Sequence, residues 1–118
     1  MDLKKLNNKK LRVLNRTYTL KVKKSIQGGR FLGMTNHNDN EILISRKQDI
    51  DSFADTLLHE ILHCIWYTTG IAYALDAKEA EEFSVNLLAS SIMAVLTDNP
   101  WVLEVINHSV KDYPKGTK

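Results

Sequence analysis

A helical period of apolar side chains over residues 53–66 is the feature that most restricts the fold of this chain. The apolar positions recur every three or four residues, as they do in an α-helix. Ser52 precedes them as a predicted N-cap, and Gly70 follows them as a predicted C-terminal stop. Because apolar residues occupy most of the circumference, we expect this helix to be largely buried. The apolar positions are Phe53, Leu57, Leu58, Ile61, Leu62, Ile65 and Trp66.

The part of the chain before this helix has the period of β-strands. Apolar and polar side chains alternate over residues 18–22, which predicts one half-buried strand within residues 10–23. Residues 31–35 and 41–45 flank a polar cluster and therefore predict a β-hairpin.

The part after it is helical. Asp76 and Glu79 stand three residues apart, an arrangement that resembles a capping box and predicts a second helix through Leu96. The Asn-Pro pair at 99–100 ends that helix, and a short third helix is predicted to run to about His108. Strands first and helices second indicate an α+β protein, in which a small antiparallel or mixed sheet packs on two long helices.

Composition limits the class of protein further. A chain of 118 residues that is 43% hydrophobic is typical of one domain with its own core, here 1–118, with frayed ends expected at 1–10 and 111–118. Cys64 is the one cysteine, so the fold needs no disulfide. No apolar stretch has the length of a bilayer crossing or a signal peptide, and we expect a cytoplasmic protein without membrane association.

Charge is divided unevenly along the chain. Residues 1–30 carry a net charge of +9 and residues 31–118 a net charge of −7. A basic stretch attracts nucleic acid or acidic partners, but lysines on a strand also prevent edge-to-edge aggregation of sheets. We favour the solvated-face interpretation and keep nucleic acid as the less favoured alternative.

The predicted central helix contains the sequence H-E-I-L-H at residues 59–63. Histidines four residues apart project from one face of a helix, so His59 and His63 can bind one Zn²⁺ ion at about 2.0–2.1 Å each. Glu60 can point to the open side of the metal and act on a bound water. Among apolar neighbours, two histidines and a glutamate would be costly without a partner, and a metal ion provides one.

A third zinc ligand has to come from elsewhere in the chain, and the acidic cluster of the second helix offers three candidates. Glu79 has the capping-box position, and Glu81 lies roughly 200° around the helix from it. Glu82 shares the side of the helix that is expected to face the first helix, so it is the preferred ligand, with Glu79 and Glu81 as alternatives.

The chain resembles the short gluzincin metallopeptidases of the ImmA/IrrE type in two segments. These are H-E-I-L-H at residues 59–63 and E-F-S-V-N-L-L-A at residues 82–89. The second helix of that group carries an E-x-x-A-N-x-F-A pattern. The resemblance covers residues 31–97 and is strongest to small stand-alone zincin-like proteins of phages and mobile elements. It implies a minimal zincin-like fold with Glu82 as the third zinc ligand.

The resemblance also implies an activity, the hydrolysis of peptide bonds by a zinc-bound water with Glu60 as the general base. In zincins the substrate commonly lies as an extra strand along the sheet edge beside the active-site helix. The two candidates for that edge are residues 31–35 and 41–45.

The alternative function is a non-catalytic zinc-binding module, either alone or associated with nucleic acid through the basic N-terminal segment. A purely structural zinc site normally has four protein ligands and needs no carboxylate beside the first histidine. Two other residues are expected to lie outside the chemistry. Cys64 is predicted to be a buried small hydrophobe, and His37 is predicted to be exposed in a polar turn.

Overall fold

The computed structural model describes residues 1–70 and 78–112, with the backbone alone for residues 78–83, 85 and 110–112. Apart from two short 3₁₀ helices, Leu3–Leu6 and Gln27–Gly29, the described elements are four strands followed by three α-helices, which confirms the α+β class. The strands are β1 (Lys10–Val13), β2 (Arg16–Lys23), β3 (Gly33–Asn36) and β4 (Glu41–Ser45). The helices are α1 (Ile50–Thr69), α2 (Lys78–Asp98) and α3 (Pro100–Asp112).

The strands form one mixed sheet in the order β1-β2-β4-β3. β1 pairs with β2, and β3 with β4, in antiparallel fashion, whereas β2 and β4 are parallel with Leu20 opposite Ile42. The single strand predicted within residues 10–23 is two strands, because Leu14 adopts a left-handed conformation (φ 57°) in the tight turn between them. β4 is therefore a central strand, and β3 lies at an edge of the sheet.

The core lies between the sheet and the helices. Alternate side chains of β2 and β4 point into it, and one face of α1 packs on them. Each large apolar side chain removed from water contributes about 1.5–3 kcal/mol before the entropy of ordering is counted. The largest fully buried side chains are Tyr18, Phe53, Leu11, Leu20, Ile42, Ile44, Leu57, Ile61, Ile65, Val13 and Val95.

α1 begins earlier than the sequence predicts. Its N-cap is Asp49, whose carboxylate accepts the backbone N–H of Ser52 at 2.8 Å, so the prediction of Ser52 as the cap is wrong. A carboxylate at this position satisfies an unpaired backbone donor and interacts favourably with the helix dipole. Gly70 ends the helix in a left-handed conformation (φ 68°), as predicted.

Asn99, between α2 and α3, ties the helices to the outer edge of β1. Its Oδ1 accepts the backbone N–H of Arg12 at 2.8 Å, and its Nδ2 donates to the carbonyls of Arg12 at 2.7 Å and Val95 at 2.8 Å. The side-chain amide thus pairs with β1 as a neighbouring strand would, and it protects that edge. Among the described residues no strand pairs with the outer edge of β3.

The ends of the chain differ from the prediction. Leu3–Leu6 forms a short 3₁₀ helix with Leu6 buried, where a frayed end was expected, and α3 continues past His108 to Asp112. Asp76 and residues 113–118 lie outside the described residues. No helix in the described ranges has the length and hydropathy required to cross a bilayer.

Candidate metal centre

His59 and His63 lie one turn apart on α1, and their imidazole rings converge. The two Nε2 atoms are 3.1 Å apart, the ring centroids are 4.8 Å apart and the ring planes meet at 78°. The four-residue spacing places both side chains on one face of the helix. The structure therefore brings together the two histidines that the sequence singles out.

The separation of these nitrogens fits a shared zinc ion. Two nitrogens bound to one zinc at about 2.0–2.1 Å in a tetrahedral arrangement are roughly 3.3–3.4 Å apart. The observed 3.1 Å differs from this by an amount that small side-chain rotations accommodate. Within the residues described, no group of three or more His, Cys, Asp or Glu side chains is assembled, so this pair is the described part of the candidate site.

Both histidines are exposed, and the prediction that α1 is largely buried is wrong. The sheet and α3 cover one side of the helix, whereas Leu62 and Trp66 on the other side are 36% and 38% exposed. Proteins of this size leave much apolar surface in contact with water. A periodic pattern of apolar residues therefore predicts more burial of a helix than the folded protein provides. Because the histidines are exposed, they do not need a metal ion to compensate for burial. Their exposure does suit a catalytic metal ion, which needs one coordination position open to water or substrate.

Glu60 is directed towards the sheet and is only 5% exposed. Its Oε1 accepts a hydrogen bond from the hydroxyl of Thr35 on β3 at 2.7 Å. A bond from a hydroxyl to a carboxylate is among the stronger hydrogen bonds in proteins, and it fixes the orientation of the carboxylate. The sequence gives no signal for Thr35, because the bond joins residues 25 positions apart on two different elements.

Gly33 allows β3 to approach α1 this closely. A Cβ atom at this position would lie 2.5 Å from Thr56 Cγ2 and 3.2 Å from Glu60 Oε2. The backbone of Gly33 has no left-handed conformation, so the requirement for glycine is steric. This is a second residue of the site that sequence reasoning missed.

The histidine pair lies between two pockets. One, of about 330 Å³, joins the pair and Glu60 to the edge of the sheet. The other, of about 340 Å³, lies along the helix and is lined by the histidines, Leu62 and Trp66. The lining of the first pocket consists of Phe31, Gly33, Met34, Thr35, His37, His59, Glu60 and His63.

His37 faces this first pocket instead of lying free in solvent as predicted. Its Nδ1 is 3.0 Å from the hydroxyl of Tyr18, and its ring stacks on Tyr67 with centroids 4.1 Å apart. Burial, assisted by the positive charge of Arg16 and by His63, lowers the pKa of His37 below its ordinary value of 6.5, so the imidazole is mainly neutral at pH 7. No pattern in the polar turn of the sequence indicates this placement.

The third ligand is not decided by the described geometry. Glu79, Glu81 and Glu82 lie within α2 (Lys78–Asp98), but their side chains are outside the described part of the chain. The assignment of Glu82, with Glu79 and Glu81 as alternatives, stays a prediction.

Cys64 is fully buried, in agreement with its predicted role as a small hydrophobe. Burial raises the pKa of its thiol from 9.0 to about 12. The side chain lies among the core residues and lines neither of the two pockets.

Comparison with protein-family models, with curated proteins and with solved structures finds no match to this chain. The basis for a function is therefore the arrangement of the described side chains around His59, Glu60 and His63.

Proposed function

We propose that this chain is a cytoplasmic zinc metallopeptidase of the gluzincin type, similar to the ImmA/IrrE group, with Zn²⁺ as its cofactor and peptides as its substrates. The observation that supports this best is the convergence of His59 and His63, with Nε2 atoms 3.1 Å apart, beside a buried glutamate in the same pocket. An exposed histidine pair next to a buried, oriented carboxylate is the arrangement that metal-assisted hydrolysis needs.

The residues that would hold the ion are His59 and His63 through Nε2, with Glu82 proposed from α2. Neutral imidazole nitrogens and a carboxylate oxygen are ligands that zinc prefers. When bound, zinc acts as a Lewis acid and lowers the pKa of water to about 7.

Glu60 is proposed to carry the proton transfers. Thr35 bonds to Oε1, which leaves Oε2 without a hydrogen-bond partner among the described residues. Oε2 would accept a proton from the attacking water and then deliver it to the departing amine as the peptide bond breaks. The carboxylate is thereby regenerated, and the products are a carboxylic acid and an amine.

β3 is the strand to which an extended peptide would add. Of the two segments proposed from the sequence, residues 41–45 form the central strand β4, with β2 on one side and β3 on the other, so the suggestion that they serve as the edge is wrong. β3 lies at the sheet edge and contributes Gly33, Met34 and Thr35 to the pocket. A peptide paired with β3 through its main chain would pass beside the histidines.

The substitution Glu60→Gln tests the proposed chemistry. Glutamine keeps the shape of the side chain and an acceptor for Thr35, but it cannot take up a proton at neutral pH. We expect zinc content equal to wild type by elemental analysis and a rate of peptide cleavage reduced by a factor of about 10² to 10⁴. Cleavage of a degenerate peptide mixture, followed by mass spectrometry, identifies a substrate, and Glu104→Gln on α3 is the matched control.

An active Glu60→Gln variant would remove Glu60 from the mechanism. A wild-type protein that binds zinc but leaves every peptide intact would favour the alternative of a non-catalytic zinc-binding module. If the protein also binds nucleic acid, and this binding weakens steeply with added salt, the module is one that binds nucleic acid through its basic N-terminal segment.

A further inference from the structure

Among the described residues that line the pocket, His37 is the one titratable residue that the proposed mechanism leaves without a role. It lies in the turn between β3 and β4 and lines the same cavity as His59, Glu60 and His63. It also borders a neighbouring cavity of about 450 Å³, together with Tyr67 and residues of β3. The imidazole is therefore positioned where β3 passes the histidine pair.

Two contacts fix the imidazole of His37, and a third holds its backbone. The hydroxyl of Tyr18 contacts Nδ1 at 3.0 Å, and the ring of Tyr67 stacks on it at an interplanar angle of 10°. Nη2 of Arg16 donates to the backbone carbonyl of His37 at 3.0 Å. The two ring contacts restrict side-chain rotations that a surface histidine would keep, as expected of a residue whose orientation matters for chemistry.

The turn that carries His37 is stabilised by hydrogen bonds of its own. Oδ1 of Asn36 accepts the backbone N–H groups of Asn38 at 3.1 Å and Asp39 at 3.2 Å. These are the bonds by which asparagine stabilises a turn, and they hold the residue between them in place.

The contacts also decide which ring nitrogen is available to a ligand. Tyr18 is fully buried, so Nδ1 is directed towards the core and Nε2 away from it. When the Tyr18 hydroxyl donates to Nδ1, the neutral imidazole carries its single proton on Nε2. In that tautomer Nε2–H is a donor directed away from the core.

We propose that His37 donates a hydrogen bond from Nε2 to the carbonyl oxygen of the scissile peptide bond and stabilises the negative charge that develops there. This role rests on the proposed peptidase function. A donor held in place before the reaction lowers the barrier because no reorganisation is needed as charge appears. Arg16 adds a fixed positive charge nearby, with its guanidinium carbon 4.9 Å from the centroid of the Tyr67 ring that stacks on His37.

The kinetic test compares His37→Ala with His108→Ala, a histidine substitution on α3. For His37→Ala we expect kcat reduced by a factor of about 10² to 10³, KM within about threefold of wild type, and unchanged zinc content. His108→Ala should match wild type in all three measurements. Wild-type kcat in His37→Ala would overturn the donor role, and loss of zinc in that variant would overturn it by identifying His37 as a metal ligand.

A second measurement does not depend on activity. Nitrogen-15 NMR of histidine-labelled, zinc-free protein reports which ring nitrogen of His37 carries the proton. We expect the Nε2–H tautomer in wild type and a mixture of tautomers in Tyr18→Phe, which keeps the shape of the core. A proton on Nδ1 in the wild-type protein would overturn the donor role.

The two measurements separate the failure of this role from the failure of the proposed function. A zinc-loaded wild-type protein that cleaves no peptide contradicts the peptidase, and the donor role with it. An active wild-type protein with His37 in the Nδ1–H form contradicts the donor role alone.

Discussion

The hydroxyl of Thr35 donates to Oε1 of Glu60 at 2.7 Å, so the edge strand β3 holds the carboxylate that neighbours the histidine pair. One partner lies on β3 and the other on α1, and the bond exists only when helix and strand are packed together. If Glu60 is the general base, Thr35 is a positioning residue that acts through it.

Removing this hydroxyl should slow hydrolysis without removing the metal. Thr35→Val keeps the shape of the side chain but leaves Oε1 of Glu60 without its donor. Hydrogen bonds to charged groups are worth about 1.5–3 kcal/mol, so we expect kcat to fall by a factor of roughly 10 to 100, with KM and zinc content near wild type. Thr35→Ser restores the donor and should recover most of the rate. A Thr35→Val enzyme as fast as wild type would show that the bond does not orient the base.

A methyl group at position 33 should force helix and strand apart. In Gly33→Ala the new Cβ would lie 2.5 Å from Thr56 Cγ2, and relief of such overpacking typically costs about 1–3 kcal/mol. We expect that loss in the free energy of unfolding, measured in urea, together with reduced kcat.

The control for this substitution is the double variant Gly33→Ala, Thr56→Ser. Serine lacks Cγ2 but retains the hydroxyl that donates to Gln48 Oε1 at 3.0 Å. The second change should therefore recover part of the lost stability. Equal stability of the single and double variants would show that the contact with Thr56 is not the origin of the effect.

The three glutamates of α2 should differ in their effect on zinc. We expect Glu82→Ala to lose most of its zinc after dialysis against a weak chelator, because two imidazoles alone bind the ion too weakly. Glu79→Ala and Glu81→Ala should retain it, and elemental analysis of all three variants provides the comparison. Full zinc occupancy in Glu82→Ala, with loss in one of the others, would reassign the third ligand.

Stability should decrease at alkaline pH because of the buried thiol of Cys64. Burial raises its pKa to about 12 from 9.0, so the folded protein holds this proton more tightly than the unfolded chain does. The stability from this group is fully present below about pH 9 and is lost as the pH rises towards 12. The pKa of Tyr18 is also raised by burial and acts in the same direction.

Urea unfolding between pH 8 and pH 10.5 measures this dependence. The free energy of unfolding should fall as the pH rises through this range, and it should fall less steeply in Cys64→Ala, which lacks the thiol. Identical slopes for the two proteins would show that Cys64 does not titrate differently in the folded and unfolded states.

Local periodicity in the sequence was sufficient to predict the elements that carry the histidine pair. The spacing of His59 and His63 is one helical turn, and the apolar period around them predicts α1 with Gly70 at its end. The order of strands and helices likewise predicts the α+β class. These features depend on neighbours within a few residues, which is the range over which side-chain period and capping chemistry act.

Long-range packing decided the strand order and the surroundings of the histidine pair. The parallel pairing of β2 with β4 makes residues 41–45 a central strand and leaves β3 at the edge, and the turn after β3 carries His37 to the pocket. The contact of Thr35 with Glu60, and the glycine that permits it, join residues that are far apart in sequence. A linear pattern records which side chains are apolar, but it does not record which element covers them. For this reason the exposure of the histidines and the surroundings of Glu60 follow only from the tertiary structure.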